Sequence, residues 1–188
     1  MTHRNALTRT VRLLVLAAAL AVSAPARADE QGEVTQLMRS GQHAQALTRA
    51  ERYLAGKPRD PQMRFLKGVV QTELGRSADA IETFTRLTED YPELPEPYNN
   101  LAVLYAAQSQ FDKARSALEM AVRTNPGYAI AHENLGDVYA RLATQSYSRA
   151  QQLDPAGTSA ATKLTLIRQL LTATTKGAAR PASGTPGS

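Results

Sequence analysis

Chemistry in a chain of 188 residues needs a convergent set of acids, bases, nucleophiles or ligands, and this one offers few. There are three histidines, at His3, His43 and His132, and no cysteine. Two internal histidines about 90 residues apart without thiolates carry no metal-ligand spacing, and no HExxH pair occurs. A glycine-rich phosphate loop and a GxSxG nucleophile elbow are also missing from the sequence. The carboxylates Glu89, Asp90, Glu93 and Glu96 cluster around Pro92 and Pro95, but without the alternation of a calcium loop. A basic cluster of Arg49, Arg52, Lys57, Arg59, Arg64 and Lys67 stands upstream of it. Both clusters read first as solvated loops and helix ends, and second as steering charges for a partner of uneven charge. No catalytic, cofactor or metal site is expected.

The N-terminus bears on the charge balance. Arg4, Arg9 and Arg12 precede ten uninterrupted apolar residues, Leu13 to Val22, and Ala26-Arg27-Ala28 has the small-x-small form that signal peptidase accepts. Ten apolar residues are too few for a span of about 20, so residues 1–28 are expected to be a cleaved signal peptide with the cut after Ala28. Four of the 22 basic residues then leave with the leader, while all 17 acidic ones stay, and the formal charge falls from +5 to +1. The apparent basicity that would suggest nucleic acid thereby disappears. An exported chain with no Cys forms no disulfide and accepts no lipid at the cut site, and a soluble periplasmic protein is the expectation.

The elements that must position any site follow from an internal period of 34 residues. Tyr98-x2-Leu101-Ala102-x2-Tyr105 is followed by Ala114-x3-Leu118, Ala121 and Pro126. One step back stand Gly68, Ala80, Phe84, Leu87 and Pro92; another step back stand Val34, Gly41, Ala46, Tyr53 and Pro58. One step forward gives His132, Leu135, Gly136 and Tyr139. The i, i+3, i+4, i+7 stripes predict paired amphipathic helices. Gly68, Ala102 and Gly136 would let helices approach closely, and Gly41 and Gly75 fall where a left-handed turn is needed. Asp60-Pro61 reads as an N-cap with proline in the first turn.

This pattern resembles the tetratricopeptide repeat (TPR) family. The resemblance implies an all-α fold, a right-handed superhelical array of antiparallel helix pairs in which each unit is buried by its neighbours. The expected units are 29–60, which is divergent, then 61–94, 95–128 and a shortened 129–157. A capping helix follows over 158–175, with Leu164, Ile167, Leu170 and Leu171 turned to the array, and a disordered tail over 176–188. In the fourth unit the matching proline, Pro155, comes five residues early, and no turn residue lies between Val138 and Leu153. One continuous helix from about Ile130 to Leu153 is favoured there over a tight hairpin at Thr144-Gln145-Ser146.

The resemblance also implies a site. Ligands of the family are held by the first helix of each unit, on the inner wall. The corresponding residues are Phe65, Val69, Thr72 and Glu73, then Asn99, Val103 and Ala106, then Glu133, Asp137 and Arg141. Phe65 is the candidate aromatic anchor, with contact to a neighbouring helix as its alternative role. His132 falls in a column of large packing residues, while Asn100 and Asn134 match a structural asparagine. Gln62, Val69, Glu96, Val103 and Ile130 depart from the family's carboxylate clamp, so an extended segment or helix held by mixed contacts is expected instead. The implied function is a periplasmic scaffold or adaptor for a protein partner in outer-membrane or secretion-complex assembly, cell-wall synthesis or cytochrome maturation. The alternative is a holdase-like carrier of exported polypeptides.

Overall fold

The computed structural model describes residues 30–174, so the leader, its cut site and the tail lie outside the described residues. Eight helices follow one another with no strand among the described residues. They are α1 (Glu30–Arg39), α2 (His43–Gly56), α3 (Pro61–Glu73), α4 (Ser77–Asp90), α5 (Pro95–Ala107), α6 (Phe111–Thr124), α7 (Ala129–Leu153) and α8 (Thr158–Thr174). Each helix packs on the next, and α1, α3, α5 and α7 also touch in succession to form one layer. The result is the expected all-helical solenoid.

The turns explain the period. Gly41 (φ 74), Gly75 (φ 70) and Ser109 (φ 58) stand 34 residues apart, all left-handed. Each closes a first helix with the same pair of hydrogen bonds: Gly75 N donates to Thr72 O and Arg76 N to Gln71 O, and Ser109 N donates to Ala106 O and Gln110 N to Tyr105 O. This is the Schellman arrangement, which satisfies the last carbonyls of a helix. Two first helices open on proline: Asp60 Oδ1 accepts from Met63 N at 2.8 Å ahead of Pro61, and Pro95 opens α5 without a side-chain cap.

The second helices supply the buried columns. Ala46, Ala80 and Ala114 are fully buried, as are Phe84 and, but for a trace, Leu118. Each large side chain removed from water in this way contributes about 1.5–3 kcal/mol. Gly68 meets Phe84 so closely that an added Cβ would lie 2.7 Å from the ring. One cluster joins Phe65, Val69, Phe84 and Leu101 across two units, so burial is shared between neighbours.

The fourth unit breaks the series. The next left-handed position falls on Ala143, and the next three column positions are Ser148, Gln152 and Pro155. Alanine favours the helix, and none of these three can build an apolar column. The chain therefore runs straight through as α7, a helix of 25 residues, about 37 Å long at 1.5 Å per residue. The continuous helix is the form adopted, and the hairpin at Thr144–Ser146 is not. Beyond Leu142 the helix opens to solvent, with Ser146, Ala150 and Leu153 all exposed.

Helix α8 also corrects an expectation. It packs on α7 and on no earlier helix, so it covers the overhanging end of α7 and not the array. Leu164 is buried and Ile167 and Leu171 are half-buried, but Leu170 turns outward, 55% exposed.

Candidate partner-binding surface

The layer formed by α1, α3, α5 and α7 is the wall on which the expected site residues fall. Their accessibility divides them. Phe65 is fully buried, its ring 5.7 Å from that of Phe84 at a tilt of 56°. It is a core residue: Phe84 and the next unit enclose it, and no surface remains for a partner. Asn99, one period on, is also fully buried, and its Oδ1 accepts from Asn134 Nδ2 at 2.8 Å. That bond links α5 to α7, so Asn99 holds neighbouring units together and is not on an open wall. Val69 is buried in the same cluster as Phe65. Successive first helices approach more closely than the resemblance implied, and these three positions close the seam.

The remaining positions do reach the surface. Glu73, Glu133 and Arg141 are exposed; Thr72, Val103, Ala106 and Asp137 are half-buried. Thr72 Oγ1 donates to Gly68 O at 2.9 Å, which occupies its hydroxyl within the helix. Arg141 lies over the Phe111 ring at 5.9 Å, a cation–π contact that ties it to α6. What is left open is a shallow apolar strip at Val103 and Ala106 framed by carboxylates.

Those carboxylates feel each other. Partial burial raises the pKa of Asp137 above the ordinary value, the nearby charge of Glu133 raises it further, and Arg141 opposes the shift. Glu96, half-buried at the start of α5, acts on Tyr128, whose hydroxyl is pushed up to about 12 by burial first and by the Glu96 charge second. Glu96 Oε2 and Tyr128 Oη are both buried with no hydrogen-bond partner among the described residues. An unpaired buried acceptor of negative charge is costly, and a cationic donor would satisfy it.

The other candidates take structural roles. His132 is exposed, with Nε2 donating to Pro126 O at 2.9 Å, so it fastens a loop and fills no packing column. Asn100 and Asn134 are buried, and Asn100 Nδ2 donates to Glu96 O at 3.0 Å. Arg64 of the basic cluster meets Asp90 of the acidic one, Nη1 to Oδ2 at 2.6 Å, while Lys67 Nζ pairs outside that cluster with Glu51 at 3.7 Å. No three His, Cys, Asp or Glu side chains among the described residues gather to hold a metal, and none of the described helices is long and apolar enough to cross a membrane.

Sequence comparison agrees with this geometry. Tetratricopeptide repeat family models match residues 32–95 and 73–142, which together cover more than half of the chain. The chain belongs to the tetratricopeptide repeat family, whose members generally mediate protein–protein interactions. Among solved structures it is similar to TTC0263, a thermophilic TPR protein of Thermus thermophilus, at 26% identity and a TM-score of 0.59; 78% of this chain and 83% of that one are covered. It shares its fold with MamA, at 20% identity and TM-score 0.55 over 73% of this chain and 83% of that one. Among curated proteins it is 37% identical over 71 residues to PYG7, a chloroplastic tetratricopeptide repeat domain-containing protein of Arabidopsis thaliana. That match spans 35% of this chain and only 24% of PYG7.

Proposed function

We propose that this protein is an exported, periplasmic adaptor with no reaction of its own, and that it holds a basic segment of a partner protein along the layer of first helices. The observation that carries the reading is the run of carboxylates on that wall, half-buried Glu96 and Asp137 with exposed Glu73 and Glu133, around Val103 and Ala106. Export rests on the basic, apolar and Ala26-Arg27-Ala28 regions of residues 1–28. A peptide with lysine or arginine between small apolar residues matches this strip, because its cations meet several carboxylates, two of them already half-buried.

Crosslinking in cells from photoreactive residues at Val103 and Glu133, after fractionation of the envelope, tests it. Recovery of one or two periplasmic proteins through basic segments is expected, with Glu96→Gln weakening capture. Capture of many unrelated exported chains would replace the adaptor by a holdase, and a chain found in the cytoplasm with Met1 retained would remove the export step. Binding of a basic peptide is also expected to weaken as the pH falls, Asp137 taking up its proton above the ordinary Asp value because its pKa is raised.

A further inference from the structure

The small residue at the eighth position of α3, α5 and α7, Gly68, Ala102 and Gly136, reports what is packed against it. At Gly68 the Phe84 ring fills the space, and at the equivalent Ala102 the cluster with Ala114, Leu118 and Ala121 does so. At Gly136, one period on, no atom of the described residues lies within 4 Å of an added Cβ. Tyr139, equivalent to half-buried Tyr105, is 48% exposed, its hydroxyl only grazing Glu119 at 3.3 Å. The first turns of α7 thus leave open the face that a second helix covers in the earlier units.

The missing pattern exists further along. Helix α8 reads Ala160-x3-Leu164-x2-Ile167, the spacing of Ala80-x3-Phe84-x2-Leu87 and of Ala114-x3-Leu118-x2-Ala121, but 12 residues later than the period requires. Lys163 Nζ sits over the Tyr147 ring at 5.6 Å, which sets the register of α8 on α7. Counting back along the antiparallel pair, Leu170 comes level with about Ala140, one turn from Gly136. Leu166 and Leu170, four residues apart on one side of α8, are 60% and 55% exposed and form a ridge. One hairpin therefore carries both an open helix face and an exposed leucine ridge.

We infer that the α7–α8 hairpin is an interface between two copies of this chain, the Leu166/Leu170 ridge of each seated in the Gly136/Tyr139 socket of the other. A two-fold pair requires a self-complementary surface, and this hairpin has one. Charge agrees. No carboxylate occurs from Pro155 to Ser188, where Lys163 and Arg168 flank the ridge, while Glu119 reaches Tyr139 and Glu133 stands one turn before Gly136. Glu119 also meets Arg115 at 3.7 Å, so Glu133 is the freer partner for a lysine of the second copy. The two-fold arrangement brings the basic ridge to these carboxylates twice. The leucine-into-glycine contact it creates repeats the one the chain already uses between Phe84 and Gly68.

Sedimentation of the chain, purified as a bacterial cell processes it, should show a concentration-dependent two-copy species. Leu166→Glu with Leu170→Glu should move its midpoint to higher concentration by roughly tenfold or more, as removal of a central apolar contact does, with the helical circular dichroism unchanged. Because the chain has no cysteine, a second test is direct: Gly136→Cys in one preparation is mixed with Leu166→Cys in another and oxidised. A crosslinked pair from this mixture, and none from Gly136→Cys mixed with Gly41→Cys, is the expected result. A strictly single-copy chain at all concentrations would overturn the inference and leave the socket to a helix of another protein. Equal crosslinking to Gly41→Cys would overturn it as well.

Discussion

The third and fourth units share a period, a first helix and a set of contacts to the units before them, yet only the third completes its pair. Ser109 takes the left-handed turn although it is not glycine, because Ala114, Leu118 and Ala121 follow at the right distance to be buried. Ala143 stands at the same position and stays helical, because Ser148, Gln152 and Pro155 offer no such return. The difference teaches that the turn residue alone does not decide a repeat. The burial gained after the turn decides, and a strained turn is tolerated where that burial exists.

The largest separation between the units is expected at the fifth position of the first helix. Phe65→Ala should cost about 3–5 kcal/mol as a buried aromatic truncation, whereas Glu133→Ala should stay within about 0.5 kcal/mol, both read by urea unfolding. An unchanged midpoint for Phe65→Ala would return that ring to the surface. At the eighth position the sign itself should reverse. Gly68→Ala drives a methyl into Phe84 and should lose about 1–3 kcal/mol by overpacking, while Gly136→Ala, read at a dilution where the chain is single, should gain up to about 1 kcal/mol of helix propensity. Equal losses at both in the single chain would mean that Gly136 is covered within one copy.

Smaller effects sharpen the turn itself. Ser109→Gly should relieve a left-handed residue and stabilise by up to about 1 kcal/mol, and Ala143→Gly should destabilise by about the same amount as a glycine inside a helix. A gain for Ala143→Gly would point to a hairpin. The least effect is the titration of Asp137. Its folded pKa is raised, so above the ordinary carboxylate range the folded chain holds more protons than the unfolded one. Its contribution is therefore present at low pH and lost as the pH rises through the raised value. Asp137→Asn should remove that loss and flatten the slope of stability against pH just above the ordinary carboxylate range.

Much of this was legible before any coordinates. The 34-residue period located the helix pairs, the left-handed Gly41 and Gly75, the Asp60 cap and the continuous α7, because each depends on local residue type and spacing. The wall was less legible. Phe65, Val69 and Asn99 lie on the expected side of their helices, but their burial depends on how closely the next first helix approaches, and that is set by residues a full period away. The outward turn of Leu170 escaped for a related reason: α8 has apolar residues on more than one side, and which side packs depends on how far α7 overshoots. The bare Gly136 did have a signal, since the missing turn residue at 143 and the early Pro155 together announce a first helix without its partner.

The account rests most on α7 being one helix, and a single distance tests it. With no native cysteine to remove, spin labels at His132→Cys and Gln152→Cys can be placed on two exposed positions 20 residues apart. A continuous helix predicts a separation of roughly 30 Å from its 1.5 Å rise. A short separation, on the order of the 10 Å between packed helices, would mean that the chain turns back near Thr144 and would contradict the account.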